Sequence, residues 1–154
     1  VIDGLSEEEL RTRARGQRTW SAHEIVLHTA DSEIQGAYRI RKVFSQSGAD
    51  LPGYDEGGWA IELDYQSSPA TAREAALDLL RELRRFVLPL FLSATPRDWS
   101  ERFGNHPQYG ATTLHNLLEL YADHTERHIA QIVHIRELLR RPLEFPLLLP
   151  ERLY

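Results

Sequence analysis

The sequence predicts an all-α protein: a four-helix bundle with a short extra N-terminal helix and an extended C-terminal tail. Three observations carry this. Long stretches repeat apolar residues at helical spacing, reciprocal caps mark their starts, and no run alternates apolar and polar residues as a half-buried strand does. The 154 residues suffice for one domain with a sizeable core, and no repeat or linker divides them. We therefore expect a single domain over 1–154, with an apolar, proline-rich tail over 141–154.

The elements follow in order. Ser6-Glu7-Glu8-Glu9 is a capping box, so a short helix is expected over about residues 6–15. Ser21 and Glu24 form a second box, flanked by Trp20 and Ile25 as a hydrophobic staple. The helix they open is expected to reach about Phe44, before the turn-rich stretch 45–53. A short helix is expected near Asp55, where Gly57 and Gly58 weaken it. Ser68-Pro69 reads as an N-cap followed by proline at the first helical position. Ala72, Ala76, Leu79, Leu83, Phe86, Val87 and Leu90 then follow with helical spacing, and Pro89 is expected to end or kink that helix. Thr95 to Gly110 reads as a loop, because Pro96, Gly104, Asn105 and Pro107 interrupt it. The last helix is expected from Thr112–Thr113 to about Arg140. Leu147–Leu149 in the tail would be poor solvent-facing residues, so the tail is expected to run extended over the surface or seal a subunit interface.

Composition narrows the chemistry. The chain has no cysteine, which excludes disulfides, zinc ribbons, iron–sulfur clusters and cysteine nucleophiles. Lys42 is the one lysine, so lysine chemistry would rest on it alone. A net charge of −5 disfavours nucleic acid as a partner. No apolar run reaches the length of a membrane span and no signal-peptide pattern opens the chain, so a cytoplasmic protein is expected. Seven histidines remain, and any transition-metal site must use imidazole and carboxylate ligands.

Helical phase sorts those histidines. His124 and His128 lie roughly 40° apart on one helix face, one turn above the other. They fall within the apolar stripe of Leu114, Leu117, Leu118, Tyr121, Ile129, Ile132, Ile135 and Leu139. Two imidazoles on a core face need partners; a shared metal or separate hydrogen bonds would each satisfy them. His23 and His28, five apart, point about 140° away from each other. His115 and His134 lie off the stripe and read as solvated. The third ligand is His28, on the long capped helix beside the small residues Ser32 and Gly36, or else His106 in the 104–110 loop. Asp31, one turn from His28, could orient a ligand imidazole or act as a base; a salt bridge with Arg127 is its expected use. Glu33 is expected to meet an arginine across the bundle, and Trp59 and Trp99 to anchor packing.

Two motifs carry a family resemblance. Trp20-Ser21-Ala22-His23-Glu24-Ile25-Val26-Leu27-His28-Thr29-Ala30-Asp31-Ser32-Glu33 resembles the pattern W-S-x-x-E-[IV]-[IVL]-x-H-[LT]-A-D-S-E of the DinB/YfiT-like superfamily. Tyr121-Ala122-Asp123-His124-Thr125-Glu126-Arg127-His128-Ile129-Ala130-Gln131-Ile132 resembles its Y-A-x-H-x-x-R-H-[IL]-x-Q-[IL] counterpart. Tyr54-Asp55, Trp59-Ala60, Arg81, Thr95-Pro96, Asp98-Trp99 and His106-Pro107 sit where the family has similar residues, so the likeness spans about residues 5–140. It implies a four-helix bundle holding one divalent metal through His28, His124 and His128. It also implies a metal-dependent thiol S-transferase or hydrolase acting on a small molecule, a low-molecular-weight thiol as one partner, and a homodimer. Zinc or nickel suits three imidazoles, with iron or manganese less favoured. A non-catalytic metal-binding or structural bundle is the alternative.

Overall fold

The computed structural model describes residues 1–13 and 19–147. Helix α1 spans Glu7–Arg11 behind the Ser6–Glu9 capping box. It is shorter than the expected 6–15, because Thr12 at its C-terminus is already extended (φ −71°, ψ 121°); residues 14–18 lie outside the described residues. Helix α2 spans Ala22–Ser45, with Ser21 and Glu24 capping reciprocally as anticipated. Asp55 caps the short α3, Glu56–Glu62, and a 3-10 turn at Tyr65–Ser67 follows. Helix α4 spans Ala70–Ser93, one residue later than expected: Pro69 itself is the N-cap, with no side-chain cap bond. Pro89 does not end α4, which continues to Ser93.

The stretch expected as a loop is ordered. Pro96–Glu101 forms α5, opened by a Thr95–Asp98 capping box with Pro96 in the first turn. Phe103–His106 (β1) and Gly110–Thr113 (β2) pair antiparallel, Phe103 opposite Thr113 and His106 opposite Gly110. Loop residues after α2 hold this hairpin: Gly48 N–H donates to Phe103 O at 2.7 Å and Leu51 N–H to Asn105 O at 3.0 Å. Each strand is four residues long, too short to show alternation, and both Gly104 and Asn105 disfavour strands. Helix α6 spans Leu114–Leu138 behind a Thr113–Asn116 capping box, close to its expected start.

Helix α2 is the central element, packing against both α4 and α6. Its first half joins one core cluster, Ile25, Val26 and Ala30 meeting Ile132 and Ile135 of α6. Its second half joins another, Ile40 and Val43 meeting Leu114, Leu117 and Tyr121, with Val87 of α4. This pairing makes α2 and α6 antiparallel. It leaves one level between the clusters, where His28 faces His124 and His128. The helices approach closely at the near edge of the second cluster, where a Cβ on Gly36 would lie 2.7 Å from the Tyr121 ring. Not every stripe position is covered, since Leu118 is exposed.

Three long helices and α3 thus make the expected bundle, with α1 as the extra N-terminal helix. The tail from Pro142 to Leu147 forms neither helix nor strand, and Phe145 is exposed; 148–154 lie outside the described residues. No helix among the described residues is long and apolar enough to cross a membrane.

Candidate metal centre

His28 sits mid-helix on α2, fully buried at 1% exposure, and His124 and His128 are half-buried on α6. Their Nε2 atoms converge. His124 Nε2 lies 3.1 Å from His28 Nε2 and 3.1 Å from His128 Nε2, and one nitrogen of each ring falls within 4.8 Å of the other two. His106, the competing third ligand, does not join them. Its Nδ1 accepts the Gln108 N–H at 3.2 Å, and its ring stacks on Tyr109. His115 and His134 are exposed, as expected, beside Glu119 and Glu137. His23 is fully buried and turned to Arg73, whose Nη1 lies 2.9 Å from its Nδ1.

The surroundings hold the three rings neutral. Burial pushes His28 down to about 3, and the neighbouring His128 and His124 push the same way. Burial first, then His128 and Arg127, takes His124 to about 4, and burial lowers His128 as well. Neutral imidazoles are what metal ions bind.

Proton positions follow from the partners. His128 Nδ1 lies 2.8 Å from Gln131 Oε1, an acceptor, so Nδ1 carries the proton and Nε2 a lone pair. For His28 the chain is longer. Tyr65 donates its hydroxyl proton to the Asp31 carboxylate, which accepts only. The Tyr65 oxygen therefore accepts from Tyr54, its hydroxyl neighbour. Tyr54, its own proton spent, accepts from His28 Nδ1 at 3.3 Å. His28 Nε2 is left with a lone pair facing His124. A single proton on His124 Nε2 can satisfy one of its two neighbours, and the other approach remains lone pair against lone pair. A cation resolves that conflict. Metal–nitrogen bonds of about 2.0–2.1 Å place neighbouring ligand nitrogens about 3.0–3.4 Å apart, which the two short separations match. The donor set therefore fits a divalent transition metal.

Asp31 does not pair with Arg127, as its position had suggested. Arg127 pairs with Asp123, one turn back on its own helix, and Asp31 is taken by Tyr65. Glu33 meets Arg84 of α4 at 3.0 Å, the cross-bundle pair anticipated. Trp59 and Trp99 pack at the edges of the two core clusters.

Glu56 was not foreseen. It opens α3, and its Oε2 lies 4.0 Å from His28 Nε2 with its side chain 63% exposed. A cleft lined by Trp20, Ile25, His28, Glu56, His124 and His128 opens on this side. The indole of Trp20 walls it, 4.4 Å from the His28 ring centroid.

With this geometry in view, the comparisons with known proteins decide the family. The profile of the DinB superfamily matches residues 1–132. The chain belongs to that superfamily. Relatives described as "Putative metal-dependent hydrolase" from Oceanobacillus iheyensis and Bacillus mycoides are 29% and 30% identical. They cover 92% and 90% of this chain, and 76% and 77% of their own length. Among solved structures it is similar to YfiT from Bacillus subtilis, described as "a probable metal-dependent hydrolase with an unusual four-helix bundle topology". That likeness has a TM-score of 0.79 at 26% identity, covering 88% of this chain and 75% of the other. The bundle read from the sequence is thus the DinB bundle.

Proposed function

We propose that this DinB protein is a metal-dependent enzyme that adds water or a low-molecular-weight thiol to a small electrophilic molecule. His28, His124 and His128 would hold the metal, zinc or nickel by ligand preference. One observation carries the reading: three neutral imidazoles converge at a cleft wall, and on the cleft's open side the Glu56 carboxylate lies 4.0 Å from His28 Nε2. A bound divalent ion would supply Lewis-acid polarisation and lower the pKa of a nucleophile's O–H or S–H. Glu56 Oε2, on that open side, is placed to accept the proton the nucleophile gives up. Trp20 and Ile25 present apolar surface to the substrate and exclude water from one wall. The Asp31–Tyr65–Tyr54 chain fixes the His28 ring. Because the chain has no cysteine, any sulfur transferred must arrive with a cosubstrate.

Metal analysis of the purified protein tests the site. Wild type should hold about one ion per chain, and His124→Ala and His128→Ala should each lose most of it. Equal metal content in all three would refute the assignment. Incubating metal-loaded protein with an activated ester or an epoxide, with and without thiol, separates the two nucleophiles. Consumption without thiol identifies hydrolysis, and strict dependence on thiol identifies transfer. No consumption in either arm leaves the non-catalytic bundle as the function.

A further inference from the structure

On the other side of His124 lies a second pocket of about 330 Å³, lined by Arg39, Tyr54, His106, Tyr109, Tyr121 and Glu56 among others. His124 and Glu56 line both pockets, so the two open around the same histidine. Its inner groups are donors. Arg39 is 5% exposed, and a buried guanidinium normally needs a negative partner. Here Nη1 donates to the Tyr121 hydroxyl at 2.8 Å and Nη2 to the Pro52 carbonyl at 2.7 Å. Both acceptors are neutral, and no carboxylate pairs with Arg39 among the described residues. Having accepted from Arg39, the Tyr121 hydroxyl has its own proton to give.

His106 adds a further donor. It is 7% exposed, and burial with the nearby Arg39 charge keeps it neutral. Its Nδ1 accepts the Gln108 N–H, so the ring proton sits on Nε2. That Nε2–H has no hydrogen-bond partner among the described residues. A cation and two neutral donors therefore line one pocket wall. Glu56, the carboxylate among the lining residues, is largely exposed.

We propose that this pocket takes the carboxylate of a small anionic substrate, with Arg39 and His106 Nε2 as its donors, while the rest of that molecule reaches past His124 to the three histidines. The inference rests on the metal-site reading for the second half only; the anion pocket stands on its own residues.

The test uses the full, metal-free chain. Succinate and inorganic phosphate are titrated separately at constant ionic strength, with sodium chloride as the blank, and the ring and backbone NMR signals of residues 106–109 are followed. Succinate should give a saturable shift in wild type. Binding should be about tenfold weaker in Arg39→Gln and in His106→Phe, and intermediate in Arg39→Lys. Should Arg39→Gln fail to fold by circular dichroism, the other two variants read the same contrast. No saturable shift in wild type, or unchanged affinity in the folded variants, overturns the proposal. Phosphate binding tighter than succinate overturns the carboxylate assignment. A chain that binds succinate but holds no metal sinks the metal reading and the reach to the three histidines, and leaves the anion pocket standing. One that holds metal and ignores succinate sinks this inference alone.

Discussion

A proton on His28 Nδ1 is what turns its Nε2 toward the cleft as a lone pair, and it is held there by Asp31, one turn along the same helix, through Tyr65 and Tyr54 from later in the chain. Tyr54 is the link that touches His28, and removing its oxygen frees the ring without emptying the core. Tyr54→Phe should therefore keep its helical circular dichroism and lower zinc affinity about tenfold in competition with a chelator. Unchanged affinity would mean that the ring is held by its packing against Trp20 and not by the hydroxyl chain. Part of this site was legible in the sequence. Helical phase put His124 and His128 on one face, and Gln131 stands three residues from His128, a spacing that reaches its ring. Tyr54, Tyr65 and Glu56 were not legible, because they flank or open short elements whose approach to α2 is set by tertiary packing. Asp31 was noticed beside His28 but given the wrong partner. Asp123 stands four residues before Arg127 on the same helix, so the local pair was available and prevailed.

At the scale of elements, the glycine in α2 is where sequence and packing meet. Gly36 is a small residue on the His28 side of α2, open on sequence alone to close helix approach or to room for a ligand, and the Tyr121 ring fills the space its side chain would occupy. Gly36→Ala gains helix propensity worth about 1 kcal/mol, against about 1–3 kcal/mol for forcing a methyl into a packed contact. The expected net is a loss of about 1 kcal/mol, seen as a lower urea midpoint with the slope unchanged. A rise in midpoint would show that the ring moves aside freely. Cap chemistry located two helix starts closely, at Ser6 and Ser21, and placed that of α4 one residue early; Asp55 and Thr113 also close caps with their own side chains, where no cap was anticipated. The same chemistry was present but overlooked at Thr95-Pro96-Arg97-Asp98, where proline was read as a breaker though it suits a first turn. The hairpin had no comparable signal, since loop residues 48–51 complete its hydrogen bonding.

Across the whole molecule, one polar chain ties three helices together. Arg73 of α4 donates to Glu7 of α1 at 2.9 Å and meets the buried His23 of α2. The hydrogen bond from Arg73 leads the causes that hold the Glu7 carboxyl down to about 2, against an ordinary 4.5. A carboxyl depressed on folding stabilises the native state above its unfolded pKa, and that contribution is lost as pH falls. Wild type should therefore lose stability between about pH 4.5 and pH 2 more steeply than Glu7→Gln, read as melting temperature against pH. Parallel curves would show that α1 is held by Leu10 packing alone. Because half of the Glu7 side chain is open to water, the effect should shrink in high salt.

The position of the three histidines between two apolar clusters has a further consequence. Each cluster closes α2 against α6 on its own side, so the helices are aligned before any ion arrives. On the proposed metal site, folding and metal acquisition would be separate events, unlike small metal-dependent domains in which the ion is the core. Such a protein would be emptied and refilled without unfolding, and its ion would answer to supply in its surroundings rather than to the moment of its synthesis.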